Sequence, residues 1–218
     1  MMKYLALLFA AFLIATPALA AETPQSLQEE WARIKYQVQG KDAKLAAIAK
    51  LEQRAAAYTK ANPKSADALI WEAIILATDA NITKSLSGLP KVEKAKSLLE
   101  QSLKFDPKAM EGSAHMTLGS LYYQVPGWPV GFGDDDKAAQ HLKAALAINP
   151  NGMDTNYWYG AFLLDNDQYA AAVPYLEKAL AAPDRPNRKI ADAGRKIEIK
   201  DALAKAKAGS KTKAKGNE

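Results

Sequence analysis

The sequence predicts an all-α chain, an α-solenoid of stacked helical hairpins ending in a C-terminal capping helix. Composition is the first reason. Ala, Leu and Lys dominate, all strong helix formers, and there is no run of alternating Val, Ile and Thr to mark a strand. The second is punctuation. Asn62-Pro63, Asp106-Pro107, Asn149-Pro150 and Ala182-Pro183 each follow a Lys/Ala-rich stretch and precede another apolar run. A residue before proline is pushed out of the α region, so each phrase ends one helix and admits the next. The third is periodicity: these prolines are spaced by 44, 43 and 33 residues.

Composition also sets limits. At 218 residues, 49% hydrophobic and 24% charged, the chain can bury a sizeable core and is too apolar for a disordered polymer. Zero Cys excludes disulfides, cysteine nucleophiles, iron–sulfur clusters and thiolate zinc sites. His115 and His141 are the two histidines, too few for a histidine-rich metal centre.

Residues 1–20 have the form of a signal peptide. Lys3 gives a positive start, Tyr4–Ile14 an apolar run, and Ala18-Leu19-Ala20 the small-x-small ending that a signal peptidase requires. The competing reading is an uncleaved membrane anchor. Cleavage after Ala20 places the protein in the periplasm. Residues 26–61 then read as a helix pair broken near Gly40-Lys41-Asp42.

The three following units carry a fuller pattern. After Pro107, His115-x2-Leu118-Gly119-x2-Tyr122 leads to Ala138-x3-Leu142-x2-Ala145. After Pro150 come Gly160 and Ala172-x3-Leu176-x2-Ala179, with Asp167-Gln168-Tyr169 at the turn. After Pro63 come Ala73, Leu76 and Ala95-x3-Leu99-x2-Ser102. These residues resemble the tetratricopeptide motif, whose period is roughly 34 residues. Gly119, Gly160 and Ala73 are small where two helices cross, and Leu142, Leu176 and Leu99 fill the space between units. One such pair cannot bury its apolar face alone, so several stack. Residues 21–208 therefore form one helical-repeat domain. Asn187–Ala208 is its capping helix, with Ile190, Ile197 and Leu203 expected to lie on the last unit.

Two units are stretched. Gly160 precedes Ala172 by 12 positions, but Gly119 precedes Ala138 by 19 and Ala73 precedes Ala95 by 22. Seven and ten residues are thus inserted between first and second helices, at about Asp79–Lys91 and Val125–Asp136. Stacking places the two insertions side by side. In the second, Pro126-Gly127 signals a turn, Trp128-Pro129 favours extended backbone, and Gly131 and Gly133 permit positive φ so that Phe132 turns inward. Asp134–Asp136 cap the next helix. A Ca²⁺ site there lacks the ligand spacing of an EF-hand loop.

Eight aromatic residues crowd between Tyr122 and Phe162. Tyr122 and Phe162 suit packing positions. Tyr123, Trp128, Phe132, Asn156, Tyr157 and Trp158 are the candidate ligand- or partner-binding residues, an aromatic wall suited to a peptide or an apolar small ligand. No nucleophile–base pair is present. Ser113 and His115 are two apart and point to different sides of a helix, and the phosphate-loop, Gly-x-Ser-x-Gly and His-Glu-x-x-His motifs are absent. An enzyme is not expected, nor is a cofactor.

Leu118–Ala138, with its Val-Pro-Gly-Trp-Pro-Val-Gly-Phe-Gly core, resembles a group of exported bacterial tetratricopeptide proteins, distantly TatT-like, associated with TRAP transporters. The resemblance implies a periplasmic scaffold or adaptor mediating protein–protein interaction, with a protein or peptide partner such as a transporter's solute-binding protein. Its alternative is a transporter-associated carrier holding an apolar small molecule or peptide in the concave groove or an internal channel. Lipid-anchored members of that group carry a cysteine that this chain lacks.

Charge is uneven. The formal net charge is +5, yet residues 185–218 hold 11 basic and 4 acidic side chains, while residues 21–184 hold 17 and 20. The basic balance reads as a tail property, with recognition expected in the acidic body. Residues 209–218 are expected to form a disordered basic tail, solubilising or in weak contact with a membrane surface. With no aromatics among its lysines, it is not expected to bind nucleic acid.

Overall fold

The computed structural model describes residues 22–215. The expected leader at 1–20 and the last residues, 216–218, lie outside the described residues. Helices run in order: α1 (Pro24–Tyr36), α2 (Lys41–Ala61), α3 (Ala66–Thr83), α4 (Leu89–Phe105), α5 (Ala109–Gln124), α6 (Asp135–Ile148), α7 (Met153–Asp165), α8 (Tyr169–Ala181) and α9 (Lys189–Lys215). Among the described residues the one β-type pairing is an isolated bridge between Gly127 and Gly133.

The proline phrases work as expected. Asn62, Asp106, Asn149 and Ala182, each followed by proline, are the C-caps of α2, α4, α6 and α8. Thr23, Ser65 and Asp134 cap α1, α3 and α6 by accepting from Ser26 N (3.1 Å), Ala68 N (3.3 Å) and Lys137 N (3.0 Å). The acidic triplet opening α6 is thus a helix cap. Within α5, Met110, Glu111 and Gly112 have positive φ, so the right-handed helix starts at Ser113.

Consecutive helices pack as pairs, α1 with α2 through α7 with α8. Gly119 and Gly160 are small for the expected reason. A Cβ on Gly119 would stand 2.5 Å from Leu142 Cγ, and one on Gly160 would stand 2.8 Å from Leu176 Cγ. Each leucine therefore fills the crossing within its own hairpin. Ala73, Ala95, Ala138 and Ala172 are fully buried.

The array does not remain open. The odd-numbered helices lie side by side in the order α1, α3, α5, α7, α9, and α9 packs back against α1. Five inner helices thus form a ring, with α2, α4, α6 and α8 outside it. Gln25 donates to the Asn187 carbonyl at 3.2 Å, while Lys35 and Tyr36 reach Glu198 at 3.0 and 3.3 Å. These matched steps show α1 and the first half of α9 running parallel. Gly194 is required at this seam, since a Cβ would fall 2.2 Å from the Tyr36 ring.

This corrects the expected cap. Ile190 and Ile197 are exposed, and α9 instead buries Ala191, Asp192, Arg195, Ile199, Ala202, Leu203 and Ala206. That stripe faces α7, α8 and α1 together, so the helix is turned away from the angle at which it would merely cover the last hairpin. Helix α9 also continues to Lys215, beyond the expected end at Ala208.

The insertions do lie together: a Cβ on Gly131 would stand 3.6 Å from Leu89. The first is not a loop throughout, because Asp79-Ala80-Asn81-Ile82 lets α3 continue to Thr83 before a 3₁₀ turn at Leu86–Gly88. The second is irregular, with a cis Trp128–Pro129 bond. Neither Gly131 nor Gly133 has positive φ. Space is the reason for them: a Cβ would meet Pro126 O at 2.7 Å and Val125 O at 2.0 Å respectively. Phe132 turns inward, edge-on to Tyr122 at 5.5 Å between centroids.

Candidate functional site

The inner ring surrounds a cavity of about 1370 Å³ that opens to solvent, lined mainly by α1, α3, α5, α7 and α9 and by Leu86, Leu89 and Pro126 of the two insertions. Two aromatic groups face it. On α1 and α3, Trp31 and Trp71 lie 5.9 Å apart, and the Trp31 indole N–H is satisfied by Thr78 Oγ1 at 2.8 Å. On α5 and α7, Tyr123 meets Trp158 at 6.5 Å and Tyr157 meets Trp158 at 5.2 Å. Ile74, Met110, Met116, Leu121 and Leu164 make up much of the remaining wall. Burial pushes the Tyr123 phenol up, so it stays neutral as part of an apolar surface.

Helix α9 brings charge to this wall. Asp154, in the first turn of α7, accepts from Arg185 and Arg195, each at 2.8 Å. Arg185 also pairs with Asp192, and Arg195 with Glu198. The Arg195 guanidinium lies over Tyr157 at 4.4 Å and Trp158 at 5.1 Å. Arg188 lies near the opposite aromatic group, 5.9 Å from the Trp71 ring. Burial alone would raise the Asp154 carboxyl, but Arg195 and Arg185 outweigh it and hold that carboxyl well below the usual range. Burial, helped by Arg195, brings the Lys35 ammonium down to about 8 against the pull of Glu198.

The candidate residues from the sequence divide. Tyr123, Tyr157 and Trp158 come together on the cavity wall. Asn156 does not join them: 1% exposed, it donates to the carbonyls of Pro150 (3.0 Å) and Gly152 (2.9 Å) and ties down the start of α7. Phe132 packs on Tyr122, and Trp128, at the tip of the insertion loop, is 90% exposed; neither lines the cavity.

Sequence reasoning missed Trp31, Trp71, Lys35, Asp154 and the arginines of 185–195, because the C-terminal charge read as a solvated tail. A signal was there. Arg188, Asp192, Arg195, Ile199, Ala202 and Ala206 recur at steps of four and three, one helical stripe that is polar first and apolar after. His141 is half-buried; its ring stacks on Tyr122 at 5.6 Å and its Nδ1 lies 2.9 Å from that of His115. Among the described residues no group of three or more His, Cys, Asp or Glu could hold a metal ion, and no helix is long and apolar enough to cross a membrane. No protein-family model and no curated protein matches the chain.

Proposed function

We propose that this is a tetratricopeptide-type protein of the bacterial periplasm, freed of residues 1–20, that carries an apolar small molecule in its central cavity. The single observation behind this reading is the closed inner ring around a 1370 Å³ aromatic-lined space. Pockets for small ligands are concave, largely preformed and mostly apolar, with few polar groups. Closure by α9 also argues against the open concave face on which a helical array would seat an extended peptide.

N-phenyl-1-naphthylamine, a neutral probe that fluoresces in apolar sites, tests this. It should bind the protein, and Trp158→Ala should weaken binding while Trp128→Ala does not. Absence of binding, together with native mass spectrometry that finds no co-purified small molecule, would defeat the carrier reading.

A second reading, the scaffold, draws on the insertion edge. Leu86, Trp128 and Val130 are 66%, 90% and 48% exposed and belong to the two adjacent insertions. Such an anchor suits a protein partner, for example a transporter's solute-binding protein. Crosslinks formed in the periplasm and lost on Trp128→Ala would support it.

A further inference from the structure

We propose that the molecule held in the cavity carries one terminal carboxylate, and that Arg188 receives it. The inference rests on the carrier reading above and assigns its ligand a headgroup.

Around the start of α9, three neighbouring cations are engaged. Lys35 pairs with Glu198, Arg185 with Asp154 and Asp192, and Arg195 with Asp154 and Glu198. Arg188 is different. Among the described residues no carboxylate stands within ion-pair distance of it, and its Nε is buried without a hydrogen-bond partner. Burial depresses its pKa, the mark of a cation whose surroundings do not repay its desolvation. Its guanidinium faces the cavity beside Trp71. A half-buried guanidinium whose Nε has no partner is costly, and an anion arriving in the cavity removes that cost.

Charge balance narrows the class. Asp154 and Asp192 already act on Arg188, and Asp165, Glu198 and Asp201 also border the space, so a phosphate monoester of about −1.5 to −2 brought to this guanidinium would be repelled by the carboxylates around it. A carboxylate carries one charge and fits the planar guanidinium fork with two parallel hydrogen bonds. From there an apolar chain passes over Trp71 toward Met116, Leu121 and Trp158, all on the cavity wall. The whole ligand is an amphiphile with one acidic end.

The test is displacement of N-phenyl-1-naphthylamine near neutral pH by three amphiphiles of one chain length: dodecanoate, dodecanol and dodecyltrimethylammonium. Dodecanoate should displace the probe at concentrations at least about tenfold lower than dodecanol, the scale of hydrogen bonding to a charged group, and the cation should be weakest. Arg188→Met should bring dodecanoate to within about twofold of dodecanol, and Arg188→Lys should keep part of the preference. Equal displacement by dodecanoate and dodecanol in the unaltered protein, or a preference that survives Arg188→Met, overturns the proposal. If Arg188→Met does not fold, the order of the three headgroups on the unaltered protein decides alone. Probe binding without anion preference sinks the headgroup assignment and leaves the carrier reading standing. Failure of the probe and all three amphiphiles to bind removes both.

Discussion

The hairpins and the α1–α9 seam join helices by opposite means. Inside a hairpin the contact is apolar and close: Gly119 under Leu142, Gly160 under Leu176, each leucine fully buried. At the seam, Lys35 of α1 pairs with Glu198 of α9 beside the Gly194–Tyr36 contact, and Glu198 is linked through Arg195 to Asp154 of α7, which also takes Arg185. A hairpin joins chain neighbours and needs only shape. The seam joins segments about 160 residues apart, and fixed charges select its register against alternatives that apolar packing would tolerate. The difference teaches that the ring's closure is specified by electrostatics and its layers by packing.

The largest effect is expected at the Asp154 pairs that back the seam from α7. Asp154→Ala leaves Arg185 and Arg195 without their shared carboxylate, and should cost about 3–5 kcal/mol in urea unfolding, the scale for breaking a buried ion pair. Leu142→Ala, in a hairpin, should cost about 2–5 kcal/mol by transfer and cavity terms. A seam variant that costs clearly less than the hairpin variant would break the comparison. Gly194→Ala drives a methyl into the Tyr36 ring and should cost about 1–3 kcal/mol, read as a lowered melting temperature.

The smallest effect is a pH dependence that separates the two regions. Burial lowers the pKa of His115 and His141, and each opposes the other's protonation in their 2.9 Å contact. A depressed folded-state pKa contributes stability that is present above the ordinary histidine value near 6.5 and lost as pH falls through the folded values. Acidification from pH 7 to 5 should therefore weaken the α5–α6 hairpin, and His141→Phe, which keeps the stacking on Tyr122, should flatten the response. Asp154, held low by its arginines, keeps its contribution down to below about pH 4. A histidine variant with an unchanged urea midpoint profile would remove the hairpin from that pH window.

Much of the fold was legible for a local reason. Residues before proline cannot stay helical, and Asn62, Asp106, Asn149 and Ala182 ended their helices accordingly. Gly119 was readable as a close crossing, but its partner was not: Leu142, expected between units, packs on it within the hairpin. The candidate site was legible by half. Tyr123, Tyr157 and Trp158 sit on first helices, whose inner side the repeat defines. Asn156, a neighbour in sequence, faces the other way, where two carbonyls needed a donor. Phe132 and Trp128 depend on a loop path that no periodicity sets.

By itself, the sequence determined the all-helical class, the four helix ends at the proline phrases, the hairpin pairing and the place of both insertions, since each follows from backbone sterics or from contacts between chain neighbours. Only the tertiary structure decided that α9 turns inward to meet α1. That step depends on how much rotation four helix pairs accumulate, a sum of small packing angles that no single residue encodes. Once α9 meets α1, residues that read as a basic tail become a charged wall of the central cavity.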